Sequence, residues 1–202
     1  MRIPKEVEKI GKKLLEKGFK AYLVGGCVRD ILLKKTPNDW DIATDAKPDQ
    51  IQKMFSDSVY ENDFGTVGIK TESEDSTLKI IEATTFRTES GYKDKRRPDK
   101  IVFAKNIEDD LSRRDFTINA IAMDLSDKNE IVDPYSGRDD LEKKIIRAVG
   151  DPSERFGEDA LRLIRAVRFS AQLGFLIEEK TNKAILKLAS SIKEIAAERV
   201  RD

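Results

Sequence analysis

Gly25-Gly26-Cys27-Val28-Arg29-Asp30, closing the apolar run Phe19 to Val24, and Asp39-Trp40-Asp41 just after it decide how this chain is read. An apolar strand, a glycine turn and a short helix over Val28 to Leu33 make a strand–turn–helix unit. At such a turn the glycine N–H groups lie open at a helix start, where partial positive charge favours phosphate. Arg29, one turn further on, is placed to reach a phosphate oxygen. Asp39 and Asp41, two apart on a strand, face the same way and suit a hard divalent cation such as Mg²⁺. Each signal has a plain alternative, an ordinary βα turn with Arg29 and Asp30 solvated, or a polar turn after Pro37. Together they point to nucleotide chemistry.

The rest of the composition narrows that chemistry. The chain has 202 residues, with 38 Lys+Arg against 38 Asp+Glu, no histidine and one cysteine. Zero net charge means that any nucleic-acid contact comes from local clusters, not from a globally basic field. The absence of histidine removes Ser-His triads and His-ligated zinc, leaving carboxylates, Lys, Arg and metal for catalysis. The lone Cys27 excludes an intrachain disulfide and any multi-cysteine metal site, and it fits a reducing cytoplasm. No run of 18 apolar residues exists, and Met1-Arg2-Ile3-Pro4-Lys5-Glu6 lacks a signal-peptide core, so a soluble protein without membrane contact is expected.

Apolar and charged residues alternate at helical spacing over 4–18, and Gly18 is placed to stop that helix. Strands are expected at Asp41 to Thr44, Thr66 to Lys70, Leu78 to Thr85 and Ile118 to Asp124, with helices at Pro48 to Phe55 and Asn106 to Arg113. Arg87 to Pro98 is polar without an apolar period and reads as an exposed, substrate-facing loop. Beyond about residue 138 the pattern is helical throughout, ending with a helix over Ile192 to Asp202 that has neither cap nor breaker.

Three further stretches carry chemistry. Glu82, between Ile80-Ile81 and Ala83, is the candidate third acid beside Asp39 and Asp41; its plain alternative is an outward-facing strand residue. Arg113-Arg114-Asp115-Phe116-Thr117-Ile118-Asn119-Ala120 puts two cations before an apolar strand, suited equally to a triphosphate or to ion pairs with Asp109, Asp110 or Asp115. Asp159, Arg162, Arg165 and Arg168 follow at i+3 steps as a slowly winding polar stripe, which an ordinary solvated helix face would also produce. An ionised Asp only accepts hydrogen bonds and an Arg only donates them. An Asp159/Arg162 pair therefore matches the donor–acceptor edge of adenine and cytosine and refuses guanine and uracil.

In this order, from Tyr22-Leu23-Val24 to Ala171-Gln172-Leu173-Gly174-Phe175, the segments resemble the class II tRNA nucleotidyltransferase and bacterial poly(A) polymerase family of the DNA polymerase β superfamily. The resemblance implies an α/β head with a small mixed sheet over residues 1–140, followed by an all-helical neck over 141–202. It implies that Asp39 and Asp41 bind Mg²⁺ for catalysis, with Glu82 remaining the candidate third catalytic acid from its own place in the sequence. Gly25, Gly26, Arg29 and Arg114 would then hold the nucleotide and its phosphates, and Asp159, Arg162, Arg165 and Arg168 would form the neck's nucleotide-binding face. The implied reaction is attack of the tRNA 3′-hydroxyl on the α-phosphate of CTP or ATP, with no nucleic-acid template. Arg113 to Ala120, Gly65-Thr66-Val67 and Arg165 to Phe169 look more like CCA-adding enzymes than poly(A) polymerases. A poly(A) or A-adding enzyme, and a noncatalytic nucleotide- or RNA-binding module, are the alternatives. The family's helical body and tail domains are absent, so the chain is either a truncated piece or a minimal head–neck protein.

Overall fold

The computed structural model describes residues 3–60, 64–91, 100–126 and 130–195. Helix α1 (Lys5–Glu16) buries Val7, Ile10, Gly11 and Leu14 along one face and ends at Gly18. Strand β1 (Ala21–Val24) leads through Gly25 into α2 (Gly26–Leu32), and β2 (Asp41–Thr44) returns antiparallel to β1. Helix α3 (Pro48–Met54), opened by its proline, precedes β3 (Ser58–Tyr60), β4 (Thr66–Lys70) and β5 (Ile80–Thr85). These strands join β8 (Ala122–Asp124) and β9 (Ile131–Val132) in one mixed seven-stranded sheet of order β3-β4-β5-β2-β1-β8-β9. β2 and β5 are parallel, and the remaining neighbours are antiparallel.

Between β5 and β8 the expected loop is in part a ribbon. β6 (Arg87–Ser90) pairs antiparallel with β7 (Lys100–Phe103), while residues 92–99 lie outside the described part. Polar residues form β6 because Arg87 and Glu89 pack into ion pairs in place of an apolar face. Helix α4 (Ile107–Ser112) follows. The strand expected over Ile118 to Asp124 is split: Thr117–Asn119 form a 3₁₀ turn, and only Ala122–Asp124 pair as β8.

The C-terminal part contains α5 (Gly137–Lys143), β10 (Ile145–Ile146), α6 (Pro152–Glu158), α7 (Leu161–Leu173), β11 (Leu176–Ile177) and α8 (Glu179–Leu188). It is helical apart from one parallel pair, in which Ile145 faces Leu176 and Ile146 faces Ile177. Two residues per strand are too few to show a period of two in the sequence. Ala189–Glu194 form a 3₁₀ helix and Ile195 is extended, so no α-helix starts at Ile192; residues 196–202 of that expected helix lie outside the described part.

The expected boundary at 140/141 falls inside α5, and packing runs across it. Val7, Leu23, Ile42, Phe116, Ile146, Phe156, Leu163 and Ala184 belong to one buried cluster. Polar links add to it: Thr117 Oγ1 donates to Asp140 at 2.7 Å, and Arg147 bridges Asp140 at 3.0 Å to Glu178 at 3.4 Å. Gly137 permits this approach, since a β-carbon there would lie 2.2 Å from the Thr117 carbonyl oxygen. Among the described residues no helix is long and apolar enough to cross a membrane.

Candidate active site

The C-terminal end of β1, the loop before β2, the segment after α4 and one side of α7 enclose a cleft of about 480 Å³. Gly25 makes the turn with φ +77° and ψ −132°, backbone that only glycine adopts without strain. A β-carbon on Gly25 would lie 2.7 Å from Nη1 of Arg114 and 3.8 Å from Oδ2 of Asp41; one on Gly26 would lie 3.7 Å from Oδ1 of Asp39. The two bare glycines therefore let both carboxylates and a guanidinium meet at the turn.

Asp41 opens β2, whereas Asp39 sits in the bend before it, not on the strand as expected. Trp40 between them is buried, and both aspartates line the cleft. Burial, then the neighbouring charge of Asp39, push the Asp41 carboxyl up to about 6, with Arg114 pulling the other way. Burial, the larger cause, and the nearby Asp39 charge thus together outweigh the pull of Arg114. Glu82 stands on β5 in register with Asp41, but its side chain is exposed and it is not part of the cleft lining. Cys27, buried beneath the turn, donates to the Val24 carbonyl at 3.2 Å. Burial pushes its thiol up to about 12, which makes it a packing residue and not a nucleophile.

The two arginines of Arg113-Arg114 divide the roles that the sequence left open. Asp110, buried within α4, accepts from Arg113 at 2.7 Å and from Arg114 at 3.2 Å. Arg113 also meets Glu89 at 3.2 Å, which ties the β6–β7 ribbon to this corner. Burial works to raise Asp110, but the two guanidinium groups outweigh it and hold the carboxyl below its usual range. Arg114 keeps its Nε buried with no hydrogen-bond partner among the described residues and turns Nη1 toward Gly25.

On the opposite wall, α6 and α7 are separate helices, so the expected unbroken stripe is interrupted. Asp159 is extended, with φ −143° and ψ 109°, and its Oδ1 accepts from Leu161 N at 2.9 Å. A carboxylate that bonds the backbone two residues on favours a break over a continued helix, a competition that i+3 spacing does not reveal. Arg162 is buried and donates to the carbonyls of Arg155 and Arg113 and to Glu158, so its ion pair is with Glu158 and not with Asp159. Arg165 pairs with Asp115 at 2.7 Å, and Arg168 lines the cleft.

Asp115, Asn119 and Phe169 also line the cleft and were not singled out in the sequence. Asn119 donates to Asp115 at 3.2 Å and accepts from Arg29 at 3.0 Å. Arg29 is further forked onto Asp30 at 2.9 and 3.0 Å, so its hydrogen bonds run within the protein while its charge faces the cleft. The signal for Asn119 was present, as a polar residue inside the apolar run Ile118 to Ala122. The lining as a whole carries six arginines against four aspartates, an excess of two positive charges that suits a polyanion.

A family model described as the Poly A polymerase head domain matches residues 21–147. The chain belongs to the Poly A polymerase head domain family. A second model, described as a probable RNA and SrmB-binding site of polymerase A, matches residues 174–202. The CCA-adding enzyme of Lactobacillus delbrueckii subsp. bulgaricus is 48% identical over 197 residues, covering 95% of this chain and 47% of that protein. The CCA-adding enzyme of Lactobacillus helveticus is 50% identical over 190 residues, covering 94% and 46%. The crystal structure of Bacillus stearothermophilus CCA-adding enzyme with CTP superposes with a TM-score of 0.87 at 40% identity, over 99% of this chain and 47% of that one. A tRNA nucleotidyltransferase complexed with a primer tRNA and an incoming ATP analog gives 0.78 at 30% identity, over 95% and 53%. The chain of this head-domain family member spans about half the length of the curated relatives it matches.

Proposed function

We propose that this chain is the head and neck of a cytoplasmic CCA-adding tRNA nucleotidyltransferase. It adds C and A from CTP and ATP to the tRNA 3′ end and releases pyrophosphate. The observation that carries the reading is that one cleft is lined by the Asp39/Asp41 pair, the Gly25-Gly26 turn with Arg114, and the Asp159/Arg162 pair. Residues 1–140 act as the head and 141–202 as the neck in this reading.

The acids fit a divalent cation. Asp41 is held up first by burial and then by Asp39, and a divalent cation held by Asp39 and Asp41 would offset both. Mg²⁺ bound there supplies charge stabilisation for the attacking 3′-oxygen and the departing pyrophosphate. Glu82, in register beside Asp41 but exposed and outside the cleft lining, is the candidate third acid on its strand position alone.

The chain's own groups do the rest. The Gly25-Gly26 turn lets a phosphate approach the backbone, and Arg114, its Nη1 toward the turn, neutralises phosphate charge. Arg29, Arg165 and Arg168 add positive charge along the same wall. Arg162 engages three of its five N–H groups among the described residues, leaving Nε–H and one Nη2–H as donors. Asp159 keeps Oδ2 as an acceptor, since Leu161 N uses Oδ1. One donor edge and one acceptor is the pattern complementary to cytosine and adenine.

The test is incorporation of labelled CTP, ATP, GTP or UTP with Mg²⁺ or EDTA, on tRNA ending before, within and after CCA. The full-length protein is expected to add C and A only, stopping when CCA is complete. Products that lengthen with A alone would identify a poly(A) polymerase, and GTP or UTP used at comparable rates would overturn the Asp159/Arg162 reading.

A further inference from the structure

Three guanidinium groups converge on one aromatic ring where α2 meets α7. The centroid of Phe169 lies 5.3 Å from Cζ of Arg29, 5.1 Å from Cζ of Arg165 and 5.7 Å from Cζ of Arg168. All four residues line the cleft. The ring is only 9% exposed, and it stands edge-on to the fully buried Phe116, with centroids 5.8 Å apart and planes at 85°. Its orientation is therefore set by the core and not by the cations around it.

Three like charges around one ring repel one another, and in a partly desolvated wall water screens that repulsion poorly. Asp30 pairs with Arg29 and Asp115 with Arg165. A further carboxylate at position 169 would hold the group together but would also repel an incoming polyphosphate. An aromatic face attracts cations through its quadrupole while carrying no net charge, so it gathers the guanidinium groups and leaves their positive field intact.

We propose that Phe169 is a positioning residue that holds Arg29, Arg165 and Arg168 toward the cleft and thereby sets affinity for the nucleotide's triphosphate without touching it. This inference rests on the reading of the cleft as a nucleoside triphosphate site. It joins a residue of the neck to the phosphate side of the head through a π-system instead of an ion pair.

The test is calorimetric titration of the 202-residue chain with inorganic tripolyphosphate and with CTP, for the native protein and for Phe169→Leu, Phe169→Met and Phe169→Tyr. Leu and Met keep the apolar packing and lose the quadrupole, so both are expected to weaken tripolyphosphate and CTP binding by about five- to tenfold. Tyr is expected to bind within about twofold of native, at a melting temperature no higher than that of the Leu and Met variants. Native-like binding by Leu and Met, binding by Tyr as weak as theirs, or a native protein that binds no tripolyphosphate would each overturn the inference. CCA addition by a native protein whose Leu variant binds tripolyphosphate normally would sink this inference alone. A native protein that adds no nucleotide, yet whose tripolyphosphate binding drops with Leu, would sink only the functional reading.

Discussion

Gly25 and Arg114 occupy a space that only one of them can fill: a β-carbon on Gly25 would lie 2.7 Å from Nη1 of Arg114. Replacing Gly25 by alanine therefore acts twice. It strains a backbone at φ +77°, costing about 1–3 kcal/mol, and it displaces the guanidinium from the turn. Gly25→Ala is expected to lower the melting temperature modestly and nucleotide incorporation by about a hundredfold. Thermal melts and single-turnover incorporation on the same preparation separate the two effects.

Asp41→Asn removes a buried charge that its surroundings disfavour. In EDTA the variant is expected to melt at or above the native temperature, because burial and Asp39 both oppose the native carboxylate. Added Mg²⁺ should raise the melting temperature of the native chain and leave that of Asp41→Asn unchanged, with incorporation abolished. A variant that still gained stability from Mg²⁺ would place the cation elsewhere.

Asp110 and Asp115 set the acid limit of the fold. Burial alone would raise both carboxyls; Arg113 and Arg114 around the first, and Arg165 and Asn119 around the second, outweigh it and lower them. A lowered folded-state value means that the stabilisation is complete above the unfolded carboxylate range, about pH 4, and is lost as pH falls through the folded value. In the Asp41→Asn background, which removes the carboxyl whose raised value adds stability as pH falls through about 6, urea midpoints should thus hold from neutral pH down to about 4.5 and fall below it. Asp115→Asn should remove its share of that acid dependence and cost about 3 kcal/mol at neutral pH, since Arg165 is left unpaired with a side chain only 34% exposed.

Asp159→Ala tests base choice apart from stability. The lost hydrogen bond to Leu161 N costs about 1 kcal/mol, while the acceptor for the exocyclic amine disappears. Discrimination of CTP over UTP is expected to fall by about tenfold or more, with a shift of only a few degrees in melting temperature. Competition between labelled CTP and UTP measures it directly.

The head was legible where short strands run buried through the core. Asp41 to Thr44 and Thr66 to Lys70 match β2 and β4 residue for residue, because both are short buried strands bounded by turn residues. β6 was not legible, since Arg87 and Glu89 pair with each other and Glu89 with the distant Arg113, contacts that leave no apolar period. The break between α6 and α7 escaped for a related reason: the charges of Asp159, Arg162, Arg165 and Arg168 keep helical spacing although the backbone at Asp159 does not. Within the cleft, Asp39, Asp41 and Arg114 could be named from their neighbours in sequence. Asp115 acquires its part through Arg165, 50 positions away, Asn119 through Arg29, 90 away, and Phe169 in part through the still more distant Arg29.

Arg162 rests one of its nitrogens on the carbonyl of Arg113, 49 positions earlier and one residue before Arg114. On the proposed reading, selecting a letter and gripping its tail are therefore geared to the same peptide unit. A neck helix transplanted from a cousin with different tastes would bring its own arginine but not the shelf beneath it. Anyone wishing to rewrite which nucleotides this scaffold accepts should move the two segments as a matched pair.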